Sequence, residues 1–430
     1  MSKGKKKQRG GHHVKYDVAE QKRNFFRKIE FICSAVAGPG IYDMIPPEGR
    51  DLLYRMRGLP PKVVAAPNEQ IPDETLKQMR RLFMEFVRQE NVSLFKDGPE
   101  ISLADYYSAG EELQHYLSHL QDNKFPRAPE LKEAMLPFTE IIDKGLEPYE
   151  EISRIINAVE ITCSDLSSKL FWLEIKSRLR SYEPMGMENL ILVHVHTPER
   201  IHVTFDGVSR TAIKATWAAN VFDGIKNFNV KPDALGIPND GRNTTIDVYV
   251  QTHALQRLAE RLDCISAGAR SLYLCLSLAE PCVQHEKDGV FLIEYRLRGR
   301  KVGYLVTEIN DGALVVRTFL FMTNDGTPEG RRLREICGLG RLDREFLSID
   351  KLSTFIATDM KCDKELEELF LEAGCGSLLE LREDVEGINT KEGMASSLPM
   401  LRKYLGLDSK GDFLTPDPLE KFRRKFEMEE

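Results

Sequence analysis

Three apolar runs separated by two turn dipeptides, GVFLIEYRLRGRKVGYLVTEINDGALVVRTFLFMTNDG, constrain this chain more than any other stretch of it. Turns at Gly299-Arg300 and Asp311-Gly312 divide the stretch into three strands, and an antiparallel meander connects them with the least chain. The third run is apolar at both parities, through Val315, Val316, Phe319, Leu320, Phe321 and Met322, so both its faces need cover and the strand is central. Glu294, Arg296 and Arg298 share one face of the first run, which sets it near an edge. With two-residue loops, Tyr295 faces Tyr304 and Phe319 lies beside Tyr304. Beyond the meander, Thr327-Pro328 supplies an N-cap and a first helical position, and Gly338 or Gly340 a stop.

Upstream, from about 17 to 182, the pattern is mainly helical. In ETLKQMRRLFMEFVRQE, Leu76, Met79, Phe83, Phe86 and Val87 form an apolar stripe and leave Lys77, Arg80, Arg81 and Glu85 toward water. After Pro148, Ile152, Ile155, Val159, Cys163, Leu166, Leu170 and Leu173 recur every three or four residues, as one long helix or two parted near 162–168. The pattern breaks at SYEPMGMEN. The fold class expected is α+β: a disordered basic tail at 1–16, a helical domain at 17–185, a mixed domain with the antiparallel meander at 186–345, and an acidic helical region at 346–430. Nine acidic and three basic residues between 361 and 387 give that last region its sign.

With 430 residues, 42% hydrophobic and 30% charged, the chain has the composition of an ordinary globular protein. A formal charge of −7 argues against a surface dedicated to nucleic acid and leaves room for a local basic cleft. The basic tail either contacts a polyanion or solubilises the chain. Eight scattered cysteines form no CxxC unit, so they are expected reduced and mostly buried. With neither a signal-peptide pattern nor a membrane-spanning apolar run, the expected location is cytoplasmic, with no membrane partner. RLRGRKVG is a charged hairpin turn rather than a phosphate loop, and no cofactor is indicated.

Two constellations carry chemistry. In LILVHVHTPERIHVTFDG, a hairpin looped at Pro198 to Arg200 puts Val193, Val195, Ile201, Val203 and Phe205 on one face and His194, His196 and His202 on the other. Three neutral imidazoles so placed suit zinc or another borderline metal, with a fourth ligand or water. The alternative is a solvated or helix-covered face.

The second lies in TTIDVYVQTHALQRLAERLD, where a strand gives way to a helix. At 100° per residue, His253, Arg257, Glu260 and Arg261 fall within about a third of the circumference, opposite Leu255, Leu258, Ala259 and Leu262. Thr252 stands where a cap would, and the helix N-terminus beside His253 favours a neutral imidazole. Such a His can take a proton from an attacking 2'-hydroxyl while Arg donors hold phosphate charge; Glu260 can orient an Arg or act as the base. Tyr295 or Tyr304 can position a base or transfer a proton. The same face also serves as the wet side of a packing helix.

The order of strand, THALQRLAERL helix and meander ending in LVVRTFLFMT resembles the small ribonuclease-toxin superfamily that includes RelE-like and BrnT-like proteins, especially short domains with a His-x3-Arg-x2-Glu-Arg helix. The resemblance covers about residues 245–323. It implies RNA cleavage without metal through basic and aromatic residues on the sheet, with His253, Arg257, Arg261, Arg296 and Arg317 as the positions that matter. The chain departs from such toxins in its length, its acidic balance and its large helical region. The expected role is therefore a binding or regulatory protein with a nuclease-like central scaffold, meeting a protein partner or RNA. A metal-independent endoribonuclease is the second reading, and a His-ligated metalloprotein the third.

Overall fold

The computed structural model describes residues 18–140, 147–180, 186–238, 245–285, 289–357 and 360–384. The basic tail and 385–430 lie outside the described residues. The chain is α+β, and it forms two compact units: Met1–Thr197 with Ala218–Lys226, and Pro198–Trp217 with Asn227–Glu430. The division thus falls after Thr197, beyond the pattern change near 185, and the C-terminal helices belong to the second unit.

The first unit packs helices on a three-stranded sheet. Its elements are α1 (Val18–Ala37), α2 (Pro47–Met56), β1 (Lys62–Ala65), α3 (Asp73–Gln89), α4 (Glu111–Ser118), α5 (Glu147–Cys163), β2 (Leu170–Arg180) and β3 (Gly186–His196). β3 is central, parallel to β1 and antiparallel to β2. One core joins Phe25, Ile29 and Ile32 of α1, Met79, Phe83 and Val87 of α3, and Ile155 and Val159 of α5 to Phe171, Leu173, Ile191 and Val193 of the sheet. Each fully buried aliphatic contributes roughly 1.5–3 kcal/mol. The α3 stripe matches its sequence pattern, with Lys77, Arg80, Arg81 and Glu85 exposed.

Two expectations fail here for physical reasons. The apolar series after Pro148 is not one helical rod or two, since α5 stops at Cys163 and Leu170 and Leu173 lie in strand β2. The Asp165 carboxylate accepts hydrogen bonds from the Ser167 amide (2.8 Å) and hydroxyl (2.7 Å), an Asx turn that reverses the chain. Nor does β3 form a hairpin across Pro198–Arg200. The following strand, β4 (Arg200–Phe205), pairs instead with β5 (Val208–Lys214) through Asp206-Gly207, whose φ values of +52° and +79° give the tight reversal that Asp-Gly favours.

The second unit adds β6 (Ile246–Gln251), α6 (Thr252–Arg261), α7 (Ala267–Ala279), β7 (Val283–His285), β8 (Val290–Leu297), β9 (Arg300–Asn310), β10 (Ala313–Phe321), α8 (Pro328–Cys337), α9 (Arg341–Leu347), α10 (Leu352–Ala357), α11 (Lys364–Glu372) and α12 (Gly376–Asp384). The sheet order is β7-β8-β9-β10-β6-β5-β4, with Asn229–Val230 pairing on β6. The meander β8-β9-β10 is antiparallel and β10 is central, yet β6 and β10 run parallel, so the sheet is mixed.

The first meander turn sits one residue earlier than expected, at Arg298-Gly299, and a bulge at Tyr295/Arg296 resets the register. Tyr295 therefore opposes Gly303, while Tyr304 opposes Glu294. A Cβ on Gly303 would lie 2.2 Å from the Leu320 carbonyl oxygen and 2.9 Å from the Phe319 ring, which itself meets Tyr295 edge-on at 5.4 Å. The sheet curls enough for the Asn310 amide to donate to the Thr204 carbonyl of edge strand β4 at 3.2 Å. Thr327 and Gly338 bound α8 as the sequence indicates: the Thr327 hydroxyl accepts from the Gly330 amide, and Gly338 adopts φ +68°.

Candidate functional site

Helix α6 follows β6 without a loop. Its N-cap is Gln251, which makes no side-chain cap bond, whereas Thr252 is the first helical residue and donates to the Thr211 carbonyl at 3.5 Å. The expected Thr252 cap is therefore absent. Ala254, Leu258 and Leu262 are buried, while Leu255 and Ala259 are half-buried.

The four residues of the polar face have different surroundings. Arg257 and Glu260 pair at 2.6 Å with side chains 36% and 53% exposed, an i,i+3 pair worth a few tenths of a kcal/mol. His253 is half-buried; burial, then Arg257 and Arg210, lower its pKa, and Glu260 pulls the other way. The shift favours the neutral imidazole. Arg261 turns inward, with 12% of its side chain exposed, and pairs with Asp350, which is 2% exposed, and with Glu345 at 3.9 Å. Burial lowers its pKa, and Glu345 opposes that shift. A guanidinium fixed on a buried carboxylate is not available to a phosphate.

The sheet arginines are also paired. Arg296 donates to one oxygen of Glu294 through Nε (3.0 Å) and Nη2 (2.7 Å). Arg317 reaches Glu308 (2.6 Å) and Asp206 (3.1 Å), its guanidinium 4.4 Å above the Phe205 ring. That ring belongs to a small cluster with Val203, Ala212, Tyr249 and Val315, none of them from α6. Among the described residues, no hydrogen bond or ion pair links His253 to Arg296 or Arg317.

Tyr295 and Tyr304, the expected aromatic helpers, are fully buried. The Tyr295 hydroxyl donates to the Arg270 carbonyl at 3.1 Å, and burial pushes its pKa upward. Tyr304 donates to Glu329 (3.0 Å), and Lys301 donates to both Glu329 (2.7 Å) and the Tyr304 hydroxyl (3.1 Å). Burial pushes Tyr304 up to about 12. For Lys301, burial works against the charge, but the bonds to Glu329 and Tyr304 outweigh it and raise the pKa. This network ties α8 to the sheet.

The histidine triad loses its geometric basis, because β3 and β4 belong to different sheets. His194 stacks on Trp172 (4.5 Å between centroids, 9° between planes), with Nε2 3.4 Å from Glu174. His196 is half-buried, and burial lowers its pKa; His202 is exposed on β4 opposite Thr211. Among the described residues, no group of three or more His, Cys, Asp or Glu side chains is placed to hold a metal ion.

A concave feature absent from the sequence reading lies in the first unit. A cleft of about 170 Å³ is lined by Arg27, Lys28, Phe31, Ile32, Ile101 and Asp105. Ile32 and Ile101 are buried at its floor, whereas Phe31 is 56% exposed. Lys28 is committed to Asp105 (2.7 Å) and Ser108 (2.8 Å). Arg27 bonds only the neutral Asn24 oxygen (3.2 Å) and forms no ion pair among the described residues. Asp105 leads into a π-helical turn, Tyr106–Gly110, a geometry enriched at functional sites. One signal was legible: Phe31 lies about 100–160° round α1 from Ile32, Phe25 and Ile29, on the wet side.

No helix among the described residues is long and apolar enough to cross a membrane. Comparison with known proteins finds no matching family model, no matching curated sequence and no matching solved structure.

Proposed function

We propose that this chain is a binding or regulatory protein whose helical unit docks a segment of a protein partner, an apolar side chain seated on Phe31, Ile32 and Ile101 and an adjacent carboxylate on Arg27. The observation that carries this reading is the cleft, which sets an exposed aromatic ring, and a cation with no acidic partner among the described residues, above an apolar floor. A buried aromatic and an arginine are the side chains that most often dominate protein interfaces. The eight free cysteines support a reducing, cytosolic setting. The sheet unit retains, as part of this proposal, the likeness of 245–323 to a nuclease scaffold.

Binding of peptides that carry Asp or Glu beside Leu, Ile or Phe, followed by fluorescence anisotropy, tests the reading. Phe31→Ala and Arg27→Glu are each expected to weaken Kd about tenfold or more, equivalent to about 1.4 kcal/mol. Binding that is absent, or equal in both variants, would remove the cleft from the argument.

The ribonuclease reading has one feature in its favour, the lowering of the His253 pKa by burial and by Arg257 and Arg210. Incubation of the purified protein with mixed RNA, with and without chelator, is expected to give no specific cleavage. Cleavage that disappears in His253→Ala would establish that reading instead.

A further inference from the structure

Glu160 is the buried ionisable group with the least ordinary surroundings. It is 1% exposed, on the last turns of α5. One carboxyl oxygen, Oε1, accepts hydrogen bonds from the Leu173 amide at 2.8 Å and the Asn220 amide at 3.0 Å. The other, Oε2, is buried with no hydrogen-bond partner among the described residues. Leu173 lies on β2, an edge strand, so its outward amide has no neighbouring strand to meet. Asn220 opens a 3-10 turn within Ala218–Lys226, the stretch that belongs to the first unit although its flanks belong to the second. A single oxygen thus holds a helix, a sheet edge and a returning segment.

We propose that Glu160 is a proton-controlled latch: protonated, it fastens Ala218–Lys226 and the edge of β2 to α5, and loss of the proton loosens the returning segment. Among the described residues, no cation compensates a negative charge there. On β2, Glu174 is paired with Lys176 and His194, and Arg178 with Glu188; on α5, Arg154 is paired with Glu151. On the returning segment Lys226 lies over the Phe222 ring. Cys163, one turn along, is kept neutral by burial, which pushes it up to about 11.

Burial raises the Glu160 pKa from 4.5 to about 7, against the opposing pull of the two amides. A folded pKa above the unfolded one means stabilisation that is complete below pH 4.5 and lost as pH rises through about 7. The latch-opening equilibrium accordingly rises about tenfold per pH unit over that interval, about 300-fold in all, and then levels.

Hydrogen exchange of the Leu173 and Asn220 amides, corrected for the intrinsic pH dependence of exchange, reads this directly. Protection is expected to fall about tenfold per unit up to pH 7 and then stay flat, and to be independent of pH in Glu160→Gln. A flat wild-type profile, a slope that persists in Glu160→Gln, or an equal slope at core amides such as Ile191 would each overturn the latch. If Glu160→Gln does not fold, Trp172 emission supplies the second readout. Its ring lies 3.6 Å from where a Cβ on Gly224 would stand, so release of the segment exposes it. The measurement is made in His194→Gln, because His194 stacks on that ring. An emission shift with a midpoint near pH 7 is expected there, and none would again overturn the proposal.

Discussion

Arg261→Ala is expected to destabilise the sheet unit by about 3–5 kcal/mol, read as a lowered urea midpoint of the full chain. The reason is the partner left behind. Asp350 is 2% exposed and, among the described residues, Arg261 is the cation that reaches it, so truncation strands a carboxylate that water does not reach. The pair as a whole need not stabilise the fold, because desolvating two ions offsets much of their attraction. Replacing both, as Arg261→Met with Asp350→Leu, is therefore expected to recover most of the loss. Arg257→Ala, one turn away, removes an exposed pair and should change stability by less than about 0.5 kcal/mol. A neutral Arg261→Ala would mean that Asp350 finds another partner or a proton, and Arg261 would return as a candidate for chemistry. The contrast separates two residues that look equivalent on a helical wheel.

That helical wheel illustrates how far the sequence reaches. Period and turn chemistry made the meander, the α3 stripe and the Thr327 cap legible, because each depends on neighbours within a few residues. Pairings set over longer distances were not. The Asp206-Gly207 turn pairs β4 with β5 rather than with β3, and with that pairing goes the face that would have gathered His194, His196 and His202. Leu170 and Leu173 continue a three-and-four spacing by coincidence, while the alternation Phe171, Leu173 inward and Trp172, Glu174 outward decides the strand.

The candidate site was legible only as a list of residue types. Arg261, Arg296 and Arg317 owe their paired state to Asp350, Glu294, Glu308 and Asp206, and three of those four carboxylates come from other elements than their arginine. Spacing along one helix carries no information about such partners. Phe31 was readable as an aromatic on a polar face, but Ile101 and Asp105, which turn that face into a cleft, come from another part of the chain.

Gly330→Ala offers the second large effect, with a sign opposite to helix propensity. Alanine in place of glycine within a helix ordinarily stabilises it by about 1 kcal/mol. At this position a Cβ would stand 1.9 Å from the Asn324 carbonyl oxygen and 2.8 Å from the Thr323 carbonyl carbon. Both are backbone atoms, so no rotamer change relieves the contact. The turn they belong to is itself fixed, because the Thr327 hydroxyl accepts from the Gly330 amide at 2.9 Å and lies 2.8 Å from the Asn324 carbonyl. Any shift of the helix start also moves Glu329, the carboxylate that holds Lys301 and Tyr304. A loss of about 3 kcal/mol or more is expected, larger than the roughly 1–2 kcal/mol of Thr327→Ala, which removes the cap but adds no clash. Thermal unfolding of the two variants side by side checks the order. If Gly330→Ala were as stable as wild type, the Met322–Thr327 turn would have to yield, and the close approach of helix to turn would not be what requires glycine there.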